Sequence, residues 1–195
     1  MSEGIETRYG TCLVGEGDEV RYDKYFVTAP EEKKGLAAAP GALLHIDGDI
    51  MEGALRFGMW YVSKEKPHLP HGPHWHKHAE VLTCLSSDMD DPQNLGGEVE
   101  IWLGPELEKH IITKSTIIFI PPKMIHCPIL YRPGDRPIIM VSQVYSNELT
   151  ETPCKNLIPE EDREKFIFFD TKGGETMEEV MSRVDIEKIK RLNAV

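Results

Sequence analysis

The chain has 195 residues, 40% of them hydrophobic, 28% charged and 8% aromatic, the size and make-up of one globular domain and not of a disordered tract. It carries 33 acidic against 22 basic residues, a formal net charge of -11, which argues against a nucleic-acid backbone or an anionic membrane as partner, since both need concentrated positive charge. No apolar run approaches the roughly 20 residues that cross a bilayer, and the acidic opening Met1-Ser2-Glu3-Gly4-Ile5-Glu6 lacks a signal peptide's apolar stretch, so a cytoplasmic protein is expected.

Residues 1–40 are mixed in composition. Glu31-Glu32-Lys33-Lys34 and Ala37-Ala38-Ala39-Pro40 read as surface loop or a short helix. From there the chain reads as short strands punctuated by proline and glycine. Ala54–Val62 is rich in aromatic and apolar residues and stops before a proline-rich loop. Ser86–Asn94 is a polar surface loop between strands. Gly97–Gly104 alternates polar and apolar with period two, as a half-buried strand does. His110–Thr113, Thr116–Ile120 and Pro137–Tyr145 are further β-branched runs. Near the end, Thr176 and Glu179 make a capping-box pattern. Met177, Val180, Met181 and Val184 follow at helical spacing, and a second stretch carries Ile186, Ile189 and Leu192. Many short strands with one terminal helix indicate a sandwich or barrel.

Five histidines crowd the segment His68-Leu69-Pro70-His71-Gly72-Pro73-His74-Trp75-His76-Lys77-His78-Ala79-Glu80. Side chains on a strand alternate between faces, so His74 and His76 share one. Two imidazoles on one face can share a metal ion, and Glu80 can add an oxygen donor. Imidazole with carboxylate suits first-row divalent ions. Downstream, Ile118–Ile120 runs into Pro121-Pro122-Lys123-Met124-Ile125-His126. The proline turn reverses the chain, so His126 opens a new strand that can lie beside His74 and His76.

His74-x-His76-x-x-x-Glu80 resembles the first motif of the cupin family, and Pro121–His126 resembles the second. Gly97–Gly104 between them looks like the strand that separates the two motifs in small cupins. The resemblance spans residues 41–148. Lys123 stands where the second motif carries glycine, so a turn without a positive φ is expected there. The resemblance implies an all-β double-stranded β-helix (jelly-roll) barrel with a short helical C-terminal extension. It would form a single domain over 1–195, with 1–40 an N-terminal extension, 41–148 the barrel core and 149–195 an extension with the C-terminal helix. It further implies one divalent transition metal (iron, manganese, nickel, copper or zinc) held by His74, His76, Glu80 and His126.

Such a centre suits a mononuclear-metal enzyme acting on a small organic molecule, with dioxygenase-type chemistry first and isomerase or lyase chemistry next. The alternative is a barrel that binds a small ligand or metal without turnover. Small cupins are often homodimers, and that is the expected assembly. No nicotinamide, flavin or phosphate-loop motif is present, so no organic cofactor is expected.

The other candidates read more plainly. His78 is expected in a turn, and His68 and His71 in a loop, with a place at the barrel mouth as their alternative. His45 and His110 read as surface strand residues. Cys12, Cys84, Cys127 and Cys154 are scattered and read as free thiols. Cys127 adjoins His126 and should point to the opposite sheet face, into the core. Trp60, Tyr61 and Trp102 read as core or as pocket wall. Arg132 and Arg136 flank a turn, where exposure is expected, whereas Arg56 lies mid-strand, where either face is open to it.

Overall fold

The structure is a computed structural model that describes residues 4–7, 10–13, 26–28, 41–147, 150–171 and 179. The strands are β1 (Gly4–Thr7), β2 (Gly10–Leu13), β3 (Ala42–Ile46), β4 (Arg56–Val62), β5 (His74–His76), β6 (Glu80–Ser86), β7 (Asn94–Leu103), β8 (Glu108–Lys114), β9 (Thr116–Ile120), β10 (His126–Pro133), β11 (Ile138–Val144) and β12 (Glu151–Pro153). Two short 3-10 helices, Lys155–Leu157 and Glu160–Lys165, follow. The expected C-terminal helix over 176–192 lies outside the described residues, Glu179 excepted. Among the described residues no helix is long and apolar enough to cross a membrane.

β1 and β2 form a hairpin that the mixed composition of residues 1–40 did not announce. The other ten strands make two antiparallel sheets, ordered β12-β5-β10-β7-β8 and β3-β4-β11-β6-β9. From β4 to β7 the chain alternates between sheets, and from β8 to β11 it returns by filling the gaps. The eight strands β4–β11 therefore lie as first-eighth-third-sixth in one sheet and second-seventh-fourth-fifth in the other. That is the double-stranded β-helix, or jelly roll.

Period-two patterning decides which face each strand buries. On β4, Gly58, Trp60 and Val62 are buried while Tyr61 between them is exposed. On β6, Glu80, Leu82, Cys84 and Ser86 are buried. The inward residues Val62, Leu82, Cys84, Val99, Ile101, Ile129, Ile138 and Met140 meet between the sheets as one core. Full burial of such a side chain stabilises by about 1.5–3 kcal/mol each. Gly58 is required by a close approach. A Cβ there would meet Cη2 of the Trp60 indole at 2.0 Å, because the ring folds back over the strand.

Two polar features tie the outer surface. Glu100 is buried and accepts from Trp102 Nε1 at 2.6 Å and from Arg132 Nη1 at 3.0 Å, with Lys109 Nζ at 3.0 Å. Arg136 Nη1 donates to Asp88 of the polar loop at 2.7 Å, and Nη2 donates to the Asn94 carbonyl at 2.8 Å. Both arginines expected to be free in solvent are thus held in ion pairs. His45 also departs from expectation: it is buried on β3, with Nε2 2.8 Å from Asp47 Oδ2.

A candidate metal centre

The jelly roll brings the two histidine motifs together by strand pairing. β5 lies between β10 and β12, with His126 opposite His74 and Glu151 opposite His76. His74 and His76 are buried while Trp75 between them turns away. The chain then crosses to the other sheet through Lys77 and His78, both exposed, and enters β6 at Glu80. The second motif is stitched to the first, since the Lys123 N–H donates to the His76 carbonyl at 2.8 Å. Lys123 adopts the left-handed backbone after all, with φ 65°. The turn keeps the form that favours glycine, and its exposed lysine side chain has open space around it.

His74, His76, Glu80 and His126 all line one cavity of about 50 Å³. The ligand-capable atoms of His76, Glu80 and His126 lie within 4.8 Å of one another. His74 belongs to two neighbouring sets on the same criterion, one with His126 and Cys127 and one with His71 and Glu151. The His74 ring centroid is 4.3 Å from that of His126 and 4.9 Å from that of His76. Glu80 Oε2 is 3.1 Å from His126 Nε2 and 3.4 Å from His76 Nε2. Donors at about 2.1 Å from one ion lie about 3.0 Å apart along an octahedral edge and about 3.4 Å apart along a tetrahedral one. The observed separations fall in that range.

Hydrogen bonds set the chemistry of the donors. His126 Nδ1 is 3.0 Å from the Met124 carbonyl, and His74 Nδ1 is 2.8 Å from the Gly72 carbonyl. A carbonyl only accepts, so both rings carry a proton on Nδ1 and turn Nε2 toward the cavity. His126 Nε2 is buried and has no hydrogen-bond partner, as is His76 Nδ1. Ser142 Oγ donates to Glu80 Oε1 at 2.6 Å, which fixes the carboxylate and leaves Oε2 facing the imidazoles. A proton or a metal cation between Nε2 and the carboxylate satisfies both groups in this buried setting. The cluster is therefore able to hold a metal ion.

The titrations follow from the same contacts. Burial alone would raise the Glu80 carboxyl, but His126 and His76 outweigh it and hold the group well below its usual range. Burial, with His126, His76 and His71 beside it, pulls His74 well below an ordinary imidazole, so the ring stays neutral. Burial pushes Glu151 up to about 8; Glu80 adds to this, while Arg56 and the Phe169 N–H oppose it.

Several cavity residues differ from their sequence reading. His68 and His71 lie in the proline-rich loop, as expected, yet both line the cavity. Cys127 does so too, against expectation. Its φ of 71° and the register shift between His126 and Ile129 break the period-two alternation and turn the thiol inward. Trp60 and Arg56 line the wall from β4, while Tyr61 faces out and Trp102 is committed to Glu100. Glu151 had no sequence signal, since it lies 71 residues beyond Glu80 in the chain (151 less 80) and reaches the site only through the pairing of β12 with β5. His78 and His110 are exposed, and Cys84 is a buried free thiol, each as expected.

No family model matches the sequence, and no curated protein matches it. Among solved structures the chain is similar to an oxalate oxidase in complex with the substrate analogue glycolate, at 13% identity and TM-score 0.44, over 96% of this chain and 88% of that one. It is also similar to the polyketide cyclase RemF from Streptomyces resistomycificus, at 21% identity and TM-score 0.41, over 72% of this chain and 90% of that one. A mutant of the Bacillus subtilis oxalate decarboxylase OxdC is similar at 14% identity and TM-score 0.35, over 68% of this chain and 32% of that one. Likeness at these values leaves the chemistry to this chain's own side chains.

Proposed function

We propose that this chain is a single-domain, cupin-type metalloprotein in which His74, His76, Glu80 and His126 hold one divalent transition metal. The reading goes further, to an enzyme of dioxygenase type acting on a small organic molecule, with isomerase or lyase chemistry as its nearest relatives. The observation that carries it is the convergence of the buried His126 and His76 Nε2 atoms on Glu80 Oε2, at 3.1 and 3.4 Å. A metal held there would supply Lewis acidity and, if redox-active, an electron-transfer centre.

The residues around the cluster support the reading in distinct ways. Ser142 orients Glu80, and the Gly72 and Met124 carbonyls fix the tautomers of His74 and His126. Such partners hold metal ligands in position and raise their basicity. Trp60, Leu82, Ile129 and Met140 close the cavity with apolar wall, which excludes water and strengthens every charge interaction inside. A cavity of about 50 Å³ suits a ligand of few heavy atoms, far below the roughly 300–1,000 Å³ of sites for drug-sized molecules.

The test is metal content of the full chain purified without added metal or chelator, beside His76→Ala, followed by dioxygen uptake over small phenols, keto acids and sugars. Stoichiometric metal in the parent and its loss in His76→Ala would support the centre. Absence of metal in both, with no uptake on reconstitution, would sink it. Metal without turnover of any panel member would favour the binding module over the enzyme.

A further inference from the structure

We infer that the cavity takes a small carboxylate or comparable anion, and that Arg56 is the group that grips it. The inference deepens the proposed function and rests on that reading for the metal beside it.

Arg56 opens β4 on the inward parity shared with Gly58, Trp60 and Val62. Its backbone is fixed along the β11 edge. The N–H donates to the Ser146 carbonyl at 2.8 Å, and the residue pairs with Val144 of β11. Val144 in turn pairs with Glu80 of β6. Arg56 and Glu80 therefore stand in one inward-facing row, separated by a single strand. The guanidinium is placed beside the cluster by sheet register and not by a flexible loop.

That guanidinium is uncommitted. Among the described residues, Arg132 is held by Glu100, Arg136 by Asp88 and the Asn94 carbonyl, and Arg163 by the Ile158 carbonyl at 3.0 Å. Arg56 makes no side-chain hydrogen bond or ion pair, although Glu80 and Glu151 line the same cavity. Burial pulls its pKa below the ordinary guanidinium value, while Glu80, Glu151 and Asp47 work to keep the charge. Arg56 is half-buried at the cavity wall, with no direct partner there among the described residues. An anion that enters the cavity supplies one, and a planar carboxylate matches the two-pronged donor geometry of arginine.

The wall points the same way. A neutral sugar or phenol would leave the Arg56 charge unmet. A small acid anion meets it, and the apolar wall of Trp60, Leu82 and Met140 accommodates only a short carbon skeleton.

The experiment is calorimetric titration of the full chain with acetate and malonate, and with acetamide and malonamide as neutral counterparts. It is run on the protein as purified, on metal-stripped protein, and on Arg56→Met and Arg56→Lys. The expected result is binding of an acid but not of its amide. Arg56→Met then weakens the acid about tenfold or more, Arg56→Lys recovers part of it, and metal content is unchanged in both variants. Equal affinity in Arg56→Met and parent overturns the inference, as does equal affinity for acid and amide. So does a parent that binds neither acid at about 50 mM ligand, roughly 50 times the Kd of about 1 mM expected of a weak site. If Arg56→Met does not fold, Arg56→Lys carries the same comparison. If the purified chain takes no metal, the reading of the centre fails by itself, and the Arg56-dependent difference in the metal-free protein still decides for or against the anion.

Discussion

Nε2 of His126 and Oε2 of Glu80 face each other at 3.1 Å, one from each sheet of the barrel. The Met124 carbonyl takes the Nδ1 proton, and Nε2 faces the carboxylate inside the cavity. A metal cation held by both would tie the two sheets. Metal should therefore stabilise the fold and not merely occupy it. At a free metal concentration of 100 times Kd the gain is about 2.7 kcal/mol, or roughly 5–10 °C in Tm for a chain of this size. Scanning calorimetry of stripped and reloaded protein reads it. Glu80→Gln and His126→Ala should lose the shift, and an unchanged Tm on reloading the parent would exclude a metal that bridges the sheets.

Ser142 is the positioning residue for that carboxylate. Its Oγ donates to Glu80 Oε1 at 2.6 Å from β11, the strand next to β6. Ser142→Ala removes the donor without touching a ligand atom. Metal affinity measured against a competing chelator should fall about 10–100-fold, with full stoichiometry still reached at saturating metal. Ser142→Thr, which keeps the hydroxyl, should recover most of the loss. An affinity unchanged in Ser142→Ala would mean that Glu80 is oriented by other contacts.

His68 makes the fold acid-sensitive. Burial pulls its pKa from 6.5 to about 4, while its ring packs 5.0 Å from Tyr131 and 6.1 Å from Trp60. A histidine whose folded pKa is depressed binds more protons in the unfolded chain between those two values. Its contribution is fully present above pH 6.5 and is lost as pH falls toward 4. At pH 4.5 the loss amounts to about 2 kcal/mol. Urea unfolding at pH 7 and pH 4.5 should show His68→Phe losing that much less than the parent over the same interval. Parallel losses would place the proton on other groups.

Much of the barrel was legible in local pattern, because a half-buried strand writes its alternation into the sequence. Residues 56–62, 97–103 and 138–144 fold as the runs suggested, while the second of these strands begins earlier, at Asn94, the end of the expected polar loop. The cluster of His74, His76, Glu80 and His126 was legible for the same reason: parity put the first two on one face, and the proline turn returned the fourth beside them. What was hidden depends on pairing or on backbone irregularity. Glu151 reaches the cavity only through its pairing with His76. Cys127 is turned inward by a left-handed residue that parity cannot foresee. Arg56 could have faced either way until the register of β4 against β11 was known.

The cavity wall itself offers the sharpest packing test. The Trp60 indole lies over Gly58, and a Cβ at Gly58 would sit 2.0 Å from Cη2 and 2.5 Å from Cζ3 of that ring. Both are atoms of the indole's six-membered ring, which phenylalanine, with its shorter reach, does not extend as far. Gly58→Ala should destabilise by about 1–3 kcal/mol through overpacking, roughly 2–12 °C in Tm. In a Trp60→Phe background the clashing atoms are gone, so the same substitution should cost less than about 0.5 kcal/mol. Denaturant unfolding of the four proteins in this cycle measures the coupling. Equal cost in both backgrounds would mean that Gly58 is needed for its own backbone and not to seat the indole that walls the site.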